Sequence, residues 1–120
     1  MLVRAHHLLC ALQFRGYGYS EAFVRRVSRV IALWRRRPGL TLTLTRSHDA
    51  WCRACPNRST PSCRQAAGRD ARALACLGLA PGDRLEVAAA RELVKRKIDA
   101  RAATYICTGC RWLDGGYCRW

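Results

Sequence analysis

Residues 20–45 read SEAFVRRVSRVIALWRRRPGLTLTLT, and the period of the apolar positions changes partway through. Phe23, Val27, Val30, Ile31 and Trp34 recur at the spacing of one helix face, with Ser20 placed to cap the first turn. Arg25, Arg26, Arg29, Arg35 and Arg36 fall mostly on the other side, as on a core-packing helix with a solvated face. Pro38-Gly39 stops the helix. LTLTLT (residues 40–45) then alternates leucine with threonine, the pattern of a half-buried strand with its leucines inward. A long amphipathic helix running into such a strand predicts an α+β fold. The expected form is a small single domain over residues 1–120, mainly helical, with a short β-element and two cysteine-rich metal-binding loops.

Upstream, residues 2–4 read as a short strand, and HHLLCALQF as about two helical turns ending at the glycines of RGYGYS. Downstream, residues 51–63 are expected on irregular backbone containing Pro56 and Pro61. Asp70 is expected to cap a helix through Leu77, closed by Gly78 and the turn APGD. Another helix is expected from about Val87 to Ile98, and a short helical turn around Ala102–Ile106.

The chain has 120 residues, half of them hydrophobic, which is enough for one modest core. Its formal charge is +14, made of twenty arginines and two lysines against eight acids. Basic surfaces attract phosphate without sequence preference. These arginines are spread along the whole chain, however, and not gathered into a stripe, so nucleic acid is a possible partner but not the favoured one. No apolar run approaches the roughly 18 residues of a membrane span, so no membrane partner is expected. MLVRAHHLLCALQF has two histidines where a secretory signal needs its apolar region and no small-x-small cleavage site. The expected location is therefore cytoplasmic, where clustered cysteines hold metal more often than they form disulfides.

Eight cysteines are present, six of them in two stretches of identical spacing. CRACPNRSTPSC supplies Cys52, Cys55 and Cys63; CTGCRWLDGGYC supplies Cys107, Cys110 and Cys118. Each is Cys-x-x-Cys followed by seven residues and a third cysteine. A tight Cys-x-x-Cys turn brings two thiolates to one metal, and the third can return from a small loop. Tetrahedral zinc takes four ligands, and a four-iron cluster usually takes four thiolates, so each triad lacks one. HHLLC offers the missing pair, since His6 and His7 lie four and three residues before Cys10 and share a helix face with it. The favoured assignment gives Cys10 to the first triad and His7, or second His6, to the second. The reverse assignment, and one site drawing on both triads, stay open. Cys76, inside ARALACLGL, is read as core, and His48 as exposed, with a spare-ligand role as its alternative. Iron–sulfur and zinc are nearly balanced on these residues alone.

HHLLCALQFRGYGYSEAF, CRACPN, LGLAPGD and ICTGCRWLDGGYC together resemble a family of uncharacterised prokaryotic proteins of about this length. It is a domain of unknown function whose members are described as candidate iron–sulfur proteins. The resemblance spans nearly the whole chain and tilts the expected cofactor toward an iron–sulfur cluster, with zinc the alternative. The expected role is electron transfer or sensing with a redox or regulatory protein partner. The alternative is a zinc-stabilised module that binds nucleic acid or an acidic protein. No Ser-His-Asp set, carboxylate pair or phosphate loop occurs, so the balance is against an enzyme.

Overall fold

The computed structural model describes Met1–Trp120. β1 (Leu2–Arg4) runs directly into α1 (Ala5–Gln13), and α2 (Glu21–Arg36) follows. β2 (Thr41–Thr45) leads through a single 3-10 turn (Trp51–Ala54) to α3 (Pro61–Leu77). β3 (Arg84–Glu86), α4 (Val87–Lys97), α5 (Ala100–Ile106) and α6 (Arg111–Asp114) complete the chain. The sheet has the order β1-β2-β3. β1 pairs with β2 in parallel, Val3 opposite Leu44, and β3 pairs with β2 antiparallel, Leu85 opposite Leu42. The helices α1 and α2 form the crossover that a parallel pair requires. The fold is α+β, as the change of period predicts.

α2 starts where Ser20 Oγ accepts the Phe23 amide at 3.1 Å. Its five expected apolar residues are all buried, and Leu42 and Leu44 of β2 point into the same core. That core joins 22 buried residues from β1, α1, α2, β2, α3, α4 and α5 and, between or beyond them, Trp51, Ile98 and Cys107. Gly18, before α2, is obligatory for packing: a Cβ there would stand 2.6 Å from Phe23 Cδ1. No helix is long and apolar enough to cross a membrane.

Three local expectations are corrected. α3 begins at Pro61, not near Asp70, because Thr60 Oγ1 accepts the Cys63 amide and Pro61 occupies the first turn, a good start for a helix. Asp70 is therefore a mid-helix residue, only 1% exposed. Cys63 lies on that first helical turn and not on irregular backbone. β3 was not expected, since three residues carry no readable period and owe their form to pairing with β2.

Candidate metal centre

The site is built around the start of α1. Arg4 gives this helix no side-chain cap, and two aspartates from elsewhere do the work instead. The Arg4 amide donates to Asp49 Oδ2 at 2.8 Å and the His6 amide to Asp70 Oδ1 at 3.1 Å. Carboxylates suit this place, since the first amides of a helix lack partners and its dipole is positive there. Asp70 also receives Arg4 Nε and Nη2, each at 2.7 Å. All four groups, Arg4, His6, Asp49 and Asp70, are buried. Burial by itself would raise the Asp70 carboxyl. The hydrogen bond from His6 and the charges of His6 and Arg4 win, and hold it below the ordinary range.

The same acids orient both histidines. His6 Nδ1 lies 2.6 Å from Asp70 Oδ1, and His7 Nδ1 lies 2.7 Å from Asp49 Oδ2. Against an ionised carboxylate Nδ1 must carry the proton, so that in a neutral ring Nε2 keeps its lone pair. This is the arrangement in which a histidine can accept a ligand or a metal. Burial, followed by the charge of His7, lowers His6 to about 4, so it is neutral near pH 7. His7 stacks on Trp51, with ring centroids 4.5 Å apart.

Both histidine rings line a cavity of about 100 Å³, and so do Cys10, Cys107, Cys110 and Cys118. Cys10 comes from α1, one turn beyond His6. Cys107 caps the end of α5, where Arg72 of α3 holds the Ile106 carbonyl through Nε and Nη2 at 3.1 and 3.0 Å. Gly109 takes the left-handed conformation (φ 74°), which folds Cys110 back so that its amide reaches the Cys107 carbonyl at 2.8 Å. The tail carrying Cys118 is fastened to α1 by the Arg119 amide, which donates to Gln13 Oε1 at 2.9 Å. Tyr19, Trp112 and Tyr117 form a run of edge and tilted ring contacts on the cavity wall.

These sulfurs act on one another electrostatically. Burial, then the neighbouring Cys107, Cys110 and Cys118, pushes the Cys10 thiol well above its usual value. Burial and Cys110 and Cys118 raise Cys107 to about 11. Burial and Cys110 also raise Cys118. Arg69 opposes the shift at both Cys10 and Cys107. Its Nε is buried with no hydrogen-bond acceptor, although the residue lines the cavity. Arg69 is thus a cation with an unused buried donor, in a cavity where burial raises Cys10 and Cys107.

The first triad is assembled separately. Asp49 Oδ1 accepts the Trp51 amide at 2.9 Å and the Cys52 thiol at 3.4 Å, which shapes the 3-10 turn. The Cys55 amide returns to the Cys52 carbonyl at 3.2 Å. Cys63 Sγ accepts from Arg4 Nη1 at 3.8 Å and lies 3.5 Å from His48 Nε2.

Cys10 thus lines the cavity of the second triad and not the first, unlike the favoured assignment, whereas His7 and His6 line that cavity beside the triad to which the favoured assignment gives a histidine. The position of Cys10 follows from α1 packing on α3 while the C-terminal tail folds back onto α1. His48 is half-buried against Cys63, not freely exposed. Cys76 packs partly buried against the core. None of the eight cysteines forms a disulfide. As the side chains stand, no three histidine, cysteine or acidic groups converge tightly enough to enclose an ion. Asp49, Asp70, Arg4 and Arg69 were not singled out from sequence as site residues, because their roles depend on burial that spacing does not reveal.

The family model described as "Protein of unknown function (DUF1284)" matches residues 18–116, and the chain belongs to that family. No curated protein and no solved structure matches it.

Proposed function

We propose, from membership of a family of unknown function and from the donor set around the cavity, that this protein binds an iron–sulfur cluster through Cys10, Cys107, Cys110 and Cys118. The observation that carries this reading is the grouping of four thiols about one cavity with the unpartnered Arg69 Nε. Four thiolates are the usual complement of a four-iron cluster. When bound, such a cluster supplies one-electron redox chemistry. Arg69 would offset the negative charge of the ligated thiolates and donate to sulfur, and such hydrogen bonds tune cluster potentials. Tyr19, Trp112 and Tyr117 would limit the access of water. His6 and His7, held by Asp70 and Asp49, would form the polar side of the pocket.

The role that suits this arrangement is electron transfer or redox sensing with a protein partner. A reducing compartment such as the cytoplasm would keep the thiols available. Zinc at the same four sulfurs is the competing occupant, since a set of four cysteines also suits structural zinc.

The test is anaerobic purification followed by iron, acid-labile sulfide and zinc analysis. The expected result is a brown protein with iron and sulfide in equal amounts, both lost in Cys10→Ser and Cys107→Ser. A colourless wild-type protein that holds zinc at these four sulfurs would overturn the reading.

A further inference from the structure

We propose that Cys52, Cys55, Cys63 and His48 form a second, separate site for a tetrahedral divalent cation of the zinc class. The inference shares with the preceding one only the premise that these thiols ligate metal.

Three observations carry it. First, Cys63 Sγ and His48 Nε2 are 3.5 Å apart. Zinc bonds of about 2.3 Å to sulfur and about 2.0–2.1 Å to nitrogen, at a tetrahedral angle, set the two ligands about 3.6 Å apart. This pair already stands at the edge length of such a site. Second, a cation stands beside this pair: Arg4 Nη1 donates to Cys63 Sγ at 3.8 Å. A zinc ion with three thiolates and a neutral imidazole carries one net negative charge, and Arg4 Nη1, the guanidinium nitrogen that Asp70 does not use, donates toward it. Third, the remaining nearby candidates are occupied. Both oxygens of Asp49 accept backbone and side-chain donors, from Arg4, His7, Trp51 and Cys52. His6 and His7 have their Nδ1 atoms on aspartates and their rings at the other cavity. His48 alone has an imidazole nitrogen at a sulfur of this triad.

A mixed set of three sulfurs and one nitrogen favours zinc over an all-thiolate cluster. The ligands sit on a 3-10 turn and on the first turn of α3, with Arg4 of β1 behind them. A bound ion would therefore tie the strand–helix connection to the sheet, which is a structural role. Loading requires the Cys52 thiol to leave Asp49 Oδ1 and turn toward the ion.

The experiment uses the full chain, purified anaerobically, with zinc, iron and sulfide measured on the same sample, and cobalt(II) exchanged for zinc. Wild type should hold one equivalent of zinc, and its cobalt form should show the visible bands of a tetrahedral site with mixed sulfur and nitrogen ligands. His48→Ala should weaken zinc by at least the roughly 10–100-fold that losing a mere outer-shell partner costs, with iron and sulfide unchanged. His48→Cys should restore affinity and shift the cobalt bands to those of an all-sulfur set, which a purely packing role for His48 would not do. Cys10→Ser should lose iron and sulfide and keep its zinc. A wild type with a cluster but no zinc, or a His48→Ala that binds zinc as tightly with an unaltered cobalt spectrum, would overturn the second site while leaving the cluster reading intact. Zinc at this site without iron in the protein would do the reverse.

Discussion

The residue on which most depends is Asp70. It joins Arg4, the His6 amide and the His6 ring, so it holds β1, the start of α1 and the middle of α3 together. Asp70→Ala would leave the Arg4 guanidinium buried and unpaired, and breaking a buried pair in this way costs about 3–5 kcal/mol. Chemical denaturation should show that loss, whereas Glu92→Ala, which removes an exposed partner of Lys95, should change stability by no more than about 1 kcal/mol. A similar loss in both variants would contradict the central role of Asp70. The same cluster sets a pH response. His6 titrates near 4 when folded, against 6.5 for an unperturbed histidine, because of burial and then the charge of His7. The unfolded chain therefore takes up this proton first, and stability should fall as pH drops from about 6.5 through about 4. Asp70 and Asp49 are held below the ordinary carboxylate range, so their stabilisation is present above that range and disappears at still lower pH. Melting temperatures measured across that interval check the sign; a protein that gained stability on acidification would refute it. None of these roles is legible in sequence. Asp70 looks like a helix cap there, because nothing in the run of residues tells a surface aspartate from a buried one.

At the scale of elements, periodicity is a good guide where an element is long and half-buried. α2 and β2 stand as the alternation of residues 23–45 predicts, since a buried face imposes its period on the side chains. α3 is misplaced at its start because residues 61–69 contain few apolar groups, and the Thr60-Pro61 signal is a matter of capping and not of period. Thr60→Ala should cost about 1 kcal/mol and loosen the turn that carries Cys63, which amide hydrogen exchange over residues 61–65 would detect as faster opening. Unchanged exchange would mean that the cap does not hold this turn. Gly18→Ala should cost about 1–3 kcal/mol through its collision with Phe23 and Val24. Gly39→Ala, where a Cβ meets nothing within 4 Å, serves as its control. Equal melting temperatures for the two would argue against the close packing of the RGYGYS turn. The cysteine spacing was legible at this scale too, but the triad to which Cys10 belongs was not. That choice is made by how α1, α3 and the tail pack, and spacing within one element carries no information about it.

For the whole molecule, the core and the two cysteine clusters contribute separately. The 22 core residues form one connected cluster, so the sheet and the larger helices have support of their own. Residues 108–120 lie outside that cluster and touch its edge through Cys110, Leu113 and Trp120, held otherwise by α6, the Gln13 contact and the aromatic wall. Anaerobic removal of metal should therefore lower the melting temperature while keeping most of the helical circular dichroism, and limited proteolysis should cut first within residues 107–120. A stripped protein that melts like the loaded one and resists protease there would show that metal does not order the tail. The fastening of Arg119 to Gln13 also has a consequence in time. That contact joins residues 106 positions apart, and Cys10 is comparably far in sequence from Cys107, Cys110 and Cys118, the other thiols of the proposed cluster site. Closing so long a loop carries an entropic cost that the local turns of α1 and α2 do not, so the site should assemble after them. In anaerobic refolding, helical circular dichroism should recover before the protein becomes able to take up iron and sulfide; simultaneous recovery would contradict that order.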